Sequence, residues 1–188
     1  LTLDIRLQYY AQEIFGKMKG AVVAIEPSTG EILAMYSNPS YDPNPFVRGI
    51  RGGEYQRLLN NPGHPLINRA TQGGYAPAST VKPLMCLMGL NEGLITPSGS
   101  FFGPPYFKLP GSTHQFRDWR PWGHGWMDLY RAIEISADTY FYDLAYRAGI
   151  NRIHEYLDRY GFGRKTGIDL SEESLGINPS RDWKRNRF

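Results

Sequence analysis

Apolar and polar positions change period several times along the chain, and each change marks an element. In LTLDIRLQYYAQEIFGKM, residues 1–18, Leu7, Ile14 and Phe15 fall at helical spacing behind Asp4, a good capping residue, and predict a helix. GAVVAIEPSTGEILAMYS, residues 20–37, holds two β-rich runs around the turn residues PSTG and predicts a β-hairpin. Proline recurs too often in NPSYDPNPF for regular structure, so loop is expected there, followed by a short helix around Glu54–Leu59 and loop to Pro77. Helix resumes over Ser79–Asn91 with Leu84, Met85, Leu87, Met88 and Leu90 as its apolar residues. Residues 92–127, rich in Gly, Pro and aromatics, read as an ordered surface excursion. Helical stretches follow near 128–134, 139–148 and 151–160, then FGFGRKTGIDL and a loop to the end. Two strands and several helices indicate an α+β fold. A lone hairpin is not a stable sheet, so its missing strands are expected to lie in chain outside these residues.

Composition changes this picture little. The 188 residues suit one globular domain or two small subdomains, and a net charge of +3 with both signs interspersed makes no nucleic-acid stripe. Cys86 is the lone cysteine, which excludes a disulfide framework and a thiolate metal site within the chain. No apolar run approaches the ~20 residues that span a bilayer, and no signal peptide is visible. A start at Leu1 and a halt at KRNRF suggest a piece of something longer.

The chemistry gathers around GGYAPASTVKPLMCLMGLNEG, residues 73–93. Pro77 and Pro83 are both accommodated if the helix begins near Ser79, which sets Ser79 at the helix N-terminus and Lys82 three residues on, on the same face. There the positive end of the helix dipole favours a forming oxyanion, and a buried, neutral lysine can take the serine proton. The pattern S-x-x-K alone is common, and standing alone a solvated surface lysine explains it better. A second stretch, IEISADTYFYDL, residues 133–144, carries Ser136 and Asp138 between two helices. A helix cap accounts for it standing alone. In serine acyl-transferases of the S-x-x-K kind, a second S-x-N or S-x-D occupies such a loop.

With both motifs in view, the chain resembles the transpeptidase domain of class B penicillin-binding proteins, and within them the penicillin-binding protein 2 group of Gram-negative rods. GAVVAIEPSTGEILAMYSNPSYDPNPF, PLINRATQGGYAPASTVKP, RDWRPWGHG, SADTYFYDLAYRAGI and GFGRKTGIDL carry the resemblance, in the family's order and over nearly the whole chain. It implies a serine β-lactamase/D,D-transpeptidase-like fold, an antiparallel sheet flanked by helices plus a helical subdomain, here lacking the later sheet strands. Residues 1–50 would form the helix and first hairpin, and 51–188 the mainly helical part. By resemblance Ser79 is the acylated nucleophile, Lys82 its general base, within direct hydrogen-bond reach of Ser79 Oγ, and Ser136 the relay that passes a proton to the leaving amine. Asp138 stands where many relatives have asparagine and would hold the lysine; Ser79, Ser136 and Asp138 would also contact substrate. Ala78 departs from the family's usual glycine.

The reaction so implied is peptidoglycan cross-linking in cell elongation and rod shape. Ser79 would attack between the two terminal D-alanines of a stem peptide, D-alanine would leave, and the acyl group would pass to an amine of a neighbouring stem; β-lactam antibiotics would acylate the same serine. The expected setting is the periplasmic face of the bacterial inner membrane, with a membrane anchor outside this chain, a polytopic glycosyltransferase as partner, and no cofactor. The rivals are a β-lactam-hydrolysing or β-lactam-sensing relative and a catalytically silent cell-wall scaffold. Three features invite misreading. Lys165-Thr166-Gly167 spells the superfamily's third motif but follows Ser136 too closely, and is expected to be a surface reversal after a helix. Glu172 has the spacing of a deacylating glutamate in the wrong sequence context. Asp118 and His124 could both take zinc, but Gly103 and Ala137 cannot complete a site, so no metal is expected and a hydrogen-bonded His124 among tryptophans is.

Overall fold

The computed structural model describes residues 1–187, which form two units: residues 1–75 with 167–174, and residues 76–166 with those from 175 onward. The first unit contains α1 (Ile5–Phe15), β1 (Gly20–Ile25), β2 (Ile32–Asn38), α2 (Asn44–Val47), α3 (Gly52–Leu59) and α4 (Arg69–Gln72). Asp4 accepts the Arg6 backbone N–H at 2.8 Å and starts α1 as its side-chain chemistry predicts. β1 and β2 form the expected antiparallel hairpin, from Gly20 opposite Asn38 to Ala24 opposite Ala34, with a bulge before Ile25. Among the described residues this sheet has no third strand. The outer edge of β2 is covered instead by α1 and the segment before it. Gln8 bonds both backbone groups of Met35, donating to its carbonyl at 2.6 Å and accepting its N–H at 3.0 Å, and Asp4 N–H donates to Leu33 O at 2.8 Å. An edge that would template strand pairing is thereby satisfied locally.

The second unit holds a 3-10 turn (Ala78–Val81), α5 (Lys82–Asn91), β3 (Phe101–Gly103), β4 (Tyr106–Phe107), β5 (Phe116–Arg117), β6 (Gly125–Met127), α6 (Leu129–Glu134), α7 (Asp138–Ala148), α8 (Ile150–Arg159) and α9 (Arg181–Arg187). Its core is Met85, Cys86 and Met88 of α5, Met127, Leu129 and Ala132, the α7 side chains Tyr140, Phe141 and Leu144, and Tyr156 of α8. Met88 and Leu144 are fully enclosed, each burial contributing about 1.5–3 kcal/mol. On α8 the i, i+3, i+4 set Ile153, Tyr156 and Leu157 turns inward. α5 and α7 pack directly, which brings the start of one beside the start of the other.

Three expectations need correction. The 92–127 excursion contains two short ladders, β3 with β6 and β4 with β5. Segments read as loop contain α2, α4 and α9, each begun by a polar side chain: Asp42 on Asn44 N–H at 3.0 Å, Asn68 on Ala70 N–H at 3.1 Å and Ser180 on Trp183 N–H at 3.0 Å. The α-helix expected from Ser79 begins at Lys82, because residues 78–81 wind as a tighter 3-10 turn. Pro83 then falls in the first turn, where its missing N–H has no intrahelical partner to lose.

Candidate active site

Ser79 lies on the exposed 3-10 turn, and the Lys82 backbone N–H closes that turn on Ser79 O. The residue before it, Ala78, has φ +47°, a left-handed conformation that glycine adopts easily and alanine does not. Lys82 opens α5 and is buried; its side chain is 10% exposed, with Nζ 5.2 Å from the centroid of the Phe141 ring. Ser136 ends the turn after α6, also left-handed at φ +53°, and Asp138 opens α7.

These four residues converge. Lys82 Nζ donates to Ser136 O at 2.9 Å, Ser136 Oγ at 2.9 Å and Asp138 Oδ1 at 2.6 Å. Ser136 Oγ in turn donates to Ser79 Oγ at 2.9 Å. An ammonium has three N–H groups and here meets three acceptors, so the hydrogen-bonding capacity of Lys82 is fully used. Direct contact between Lys82 and Ser79 was expected. The described hydrogen bonds run instead through Ser136, because the strained turn carries its hydroxyl between the other two. Chemically, the arrangement is a hydroxyl linked to an amine by a second hydroxyl: a route for moving a proton off Ser79 in two short steps once the amine is neutral. Burial pushes the Cys86 thiol up to about 11, which removes the cysteine as a competing nucleophile.

The remaining sequence candidates fall elsewhere. Lys165, Thr166 and Gly167 lie in exposed coil outside any strand, after α8 and the left-handed Gly161 and Gly163. Glu172 is exposed and accepts from Ser171 Oγ at 3.3 Å. Asp118 and His124 meet, with Nε2 to Oδ1 at 2.8 Å, and the His124 ring stacks edge-on against Trp119 at 5.3 Å. Among the described residues no third His, Cys, Asp or Glu joins them to hold a metal. Burial pushes the Asp118 carboxyl up, but hydrogen bonds from Thr139, His124 and Arg120 outweigh it and hold the group below its ordinary range. The carboxylate is therefore an acceptor only, so Nε2 of His124 carries the shared proton. The sequence shows Asp118 only as a donor without a complete metal site; its contact with Thr139, beside the second motif, leaves no local signal.

The family model of the penicillin binding protein transpeptidase domain matches residues 20–187. The chain belongs to the penicillin-binding protein transpeptidase family. It is 50% identical, over its whole length, to the peptidoglycan D,D-transpeptidase MrdA of Escherichia coli, of which it covers 30%. It is similar in structure to Pseudomonas aeruginosa PBP2, solved in complex with WCK 5153, at TM-score 0.95 and 48% identity, covering 100% of this chain and 41% of that one. It is also similar to Helicobacter pylori PBP2, solved in complex with MreC, at TM-score 0.93 and 39% identity, covering 99% of this chain and 35% of that one. The transpeptidase fold expected from the sequence is thus the fold of the chain, present here with few strands. The chain spans about 30% of the length of the curated relative.

Proposed function

We propose that this chain carries the acylating half of a peptidoglycan D,D-transpeptidase active site of the penicillin-binding protein 2 kind. The observation that carries the reading is the hydrogen-bonded series Ser79 Oγ, Ser136 Oγ, Lys82 Nζ, Asp138 Oδ1. Ser79 attacks the carbonyl between the terminal D-alanines of a stem peptide while its proton passes through Ser136 to neutral Lys82. Collapse of the tetrahedral intermediate breaks the C–N bond, and the proton returns through Ser136 to the departing D-alanine nitrogen. The acyl group on Ser79 then goes to the amine of a second stem, the same route taking up that amine's proton. Asp138 holds Lys82 at the end of the route, and the Ser79 N–H, at the start of a helical segment, is one donor to the developing oxyanion. A β-lactam presents a strained amide to the same serine and acylates it without releasing a leaving group that can diffuse away.

The further setting rests on the family resemblance: cell elongation at the periplasmic face of the inner membrane, alongside a polytopic glycosyltransferase. Two assemblies are visible among the relatives, the MreC complex of the Helicobacter pylori protein and a peptidoglycan synthase complex that couples polymerization to crosslinking. No helix among the described residues is long and apolar enough to cross a membrane. The test is covalent labelling of the full-length protein with a fluorescent penicillin. The parent is expected to label stoichiometrically and Ser79→Ala not at all, with an unchanged circular dichroism spectrum; stoichiometric labelling of the variant would overturn the assignment.

A further inference from the structure

The turn 118–124 grips the second motif from both sides. On one side Trp119 Nε1 donates to Ile135 O at 3.0 Å, immediately before Ser136. On the other, Asp118 Oδ2 accepts from Thr139 N–H at 2.9 Å and Thr139 Oγ1 at 3.1 Å, immediately after Asp138. The residue at the N-cap of α7 is Ala137, which has no side-chain acceptor, so the carboxylate of Asp118 does from 21 residues away what a Ser or Asp at position 137 would do locally. The side chains of Asp118 and His124 are 0% and 1% exposed, and Asp118 Oδ1 is fixed by His124 Nε2 at 2.8 Å and Arg120 N–H at 3.2 Å. The turn itself is tied to the end of β3 and its following prolines, through His124 N–H to Gly103 O at 2.8 Å and Asp118 N–H to Pro105 O at 3.0 Å. Gly123 fits there only without a side chain, since a Cβ would meet Gly103 O at 2.5 Å and the Pro104 carbonyl carbon at 2.8 Å.

We infer that Asp118, seconded by Trp119, is a positioning residue for acylation: it holds Ser136 in its left-handed conformation and leaves the Asp138 carboxylate free for Lys82. Ser136 at φ +53° sits where a non-glycine residue stays only if its neighbours fix the backbone on both sides. Ser136 N–H on Ile133 O and Ala137 N–H on Ala132 O, both at 3.0 Å, turn the chain at the end of α6, and the 118–124 turn secures that reversal by bonding Ile135 before it and Thr139 after it. A carboxylate at the first position of a helix competes for the helix's own N–H groups; with Asp118 already on Thr139 N–H, Asp138 turns to Lys82 Nζ instead. Asp118 touches none of the reacting atoms. Its loss should displace the Ser136 and Asp138 groups by a fraction of an ångström to an ångström and act on the chemical step, while the mouth that receives the ligand is unchanged.

This inference rests on the acylation reading, and the experiment separates the two. Stopped-flow labelling of the full-length protein with a fluorescent penicillin resolves the noncovalent dissociation constant from the first-order acylation constant. Asp118→Ala is expected to lower the acylation constant about 10- to 100-fold with the dissociation constant within about threefold. Asp118→Asn, which keeps an acceptor for Thr139, should restore most of that rate. Asp118→Ala leaves a buried N–H unpaired and can fail to fold; Trp119→Phe, at a side chain facing solvent, then carries the test and should slow acylation about three- to tenfold in the same step. Parental acylation constants in Trp119→Phe and in the folded Asp118 variants would overturn the inference alone, as would a loss confined to the dissociation constant. A parent that never labels would overturn the acylation reading and this one with it.

Discussion

Replacing Ala78 by glycine tests the backbone that presents Ser79. At φ +47° an L-residue is disfavoured by about 1–2 kcal/mol, a penalty glycine does not share. Against this, glycine gives the unfolded chain extra freedom worth about 0.4–1 kcal/mol. The difference favours Ala78→Gly by about 0.5–1 kcal/mol, because Ala78 is exposed and its methyl group buries little. In a domain of this size that raises the melting midpoint by about 1–3 °C, readable by scanning calorimetry. Ala78→Val is the control: a β-branched residue in the left-handed region is a true outlier and should lower the midpoint by a comparable or larger amount. Penicillin acylation of Ala78→Gly should stay within about twofold of the parent, since Thr80 N–H to Pro77 O at 3.1 Å and Lys82 N–H to Ser79 O still close the turn. A glycine variant that melts earlier than the parent, alongside a valine variant that melts with it, would refute a left-handed Ala78.

Two further outcomes are expected. Lys165→Ala should leave penicillin acylation within about twofold, as for any exposed residue away from the chemistry, and a hundredfold loss would show that the K-T-G sequence belongs to the site. The depressed Asp118 carboxyl contributes stability that is present above its unfolded value near 3.8 and lost as pH falls through its lower folded value. Between about pH 5 and 3 the melting midpoint of the parent should therefore fall more steeply than that of Asp118→Asn, the slopes differing by at most about 1.4 kcal/mol per pH unit, and parallel curves would contradict the assignment.

What the sequence made legible was local. Asp4, the PSTG turn and the helical spacing of residues 139–148 each carry their signal within a few neighbours, and α1, the hairpin and α7 appear where those signals lie. Ser79, Lys82, Ser136 and Asp138 were legible as two motifs, and the packing of α5 on α7 brings them together. The ladder of β3 with β6 was not, because Phe101 pairs with Met127 across 26 positions and two strands of three residues have no period to read. α9, RDWKRNR, has no apolar face, so only the Ser180 cap announces it. The role of Asp118 was invisible for the same reason as the ladder: its partner Thr139 lies 21 residues away and shares no motif with it.

Among the described residues, the left-handed non-glycine positions of the second unit are Ala78 and Ser136, and both bear on the hydroxyls of the site. One precedes Ser79; the other links Ser79 to Lys82 through its hydroxyl. Each conformation costs free energy that the rest of the unit must offset, and strain of this kind concentrates where a side chain has to point in a direction that relaxed backbone does not allow. A relaxed helical start at Ser79 would set its hydroxyl along the α5 face beside Lys82, the direct contact that spacing suggests. The two kinks instead place Ser136 Oγ between them, 2.9 Å from each. The lysine can then remain buried against Phe141, beside Asp138, while the serine stays exposed, as the proposed acylation requires. Under the proposed acylation, the Ser136 hydroxyl meets both conditions at once, and that gives a physical reason for a serine to be where it is.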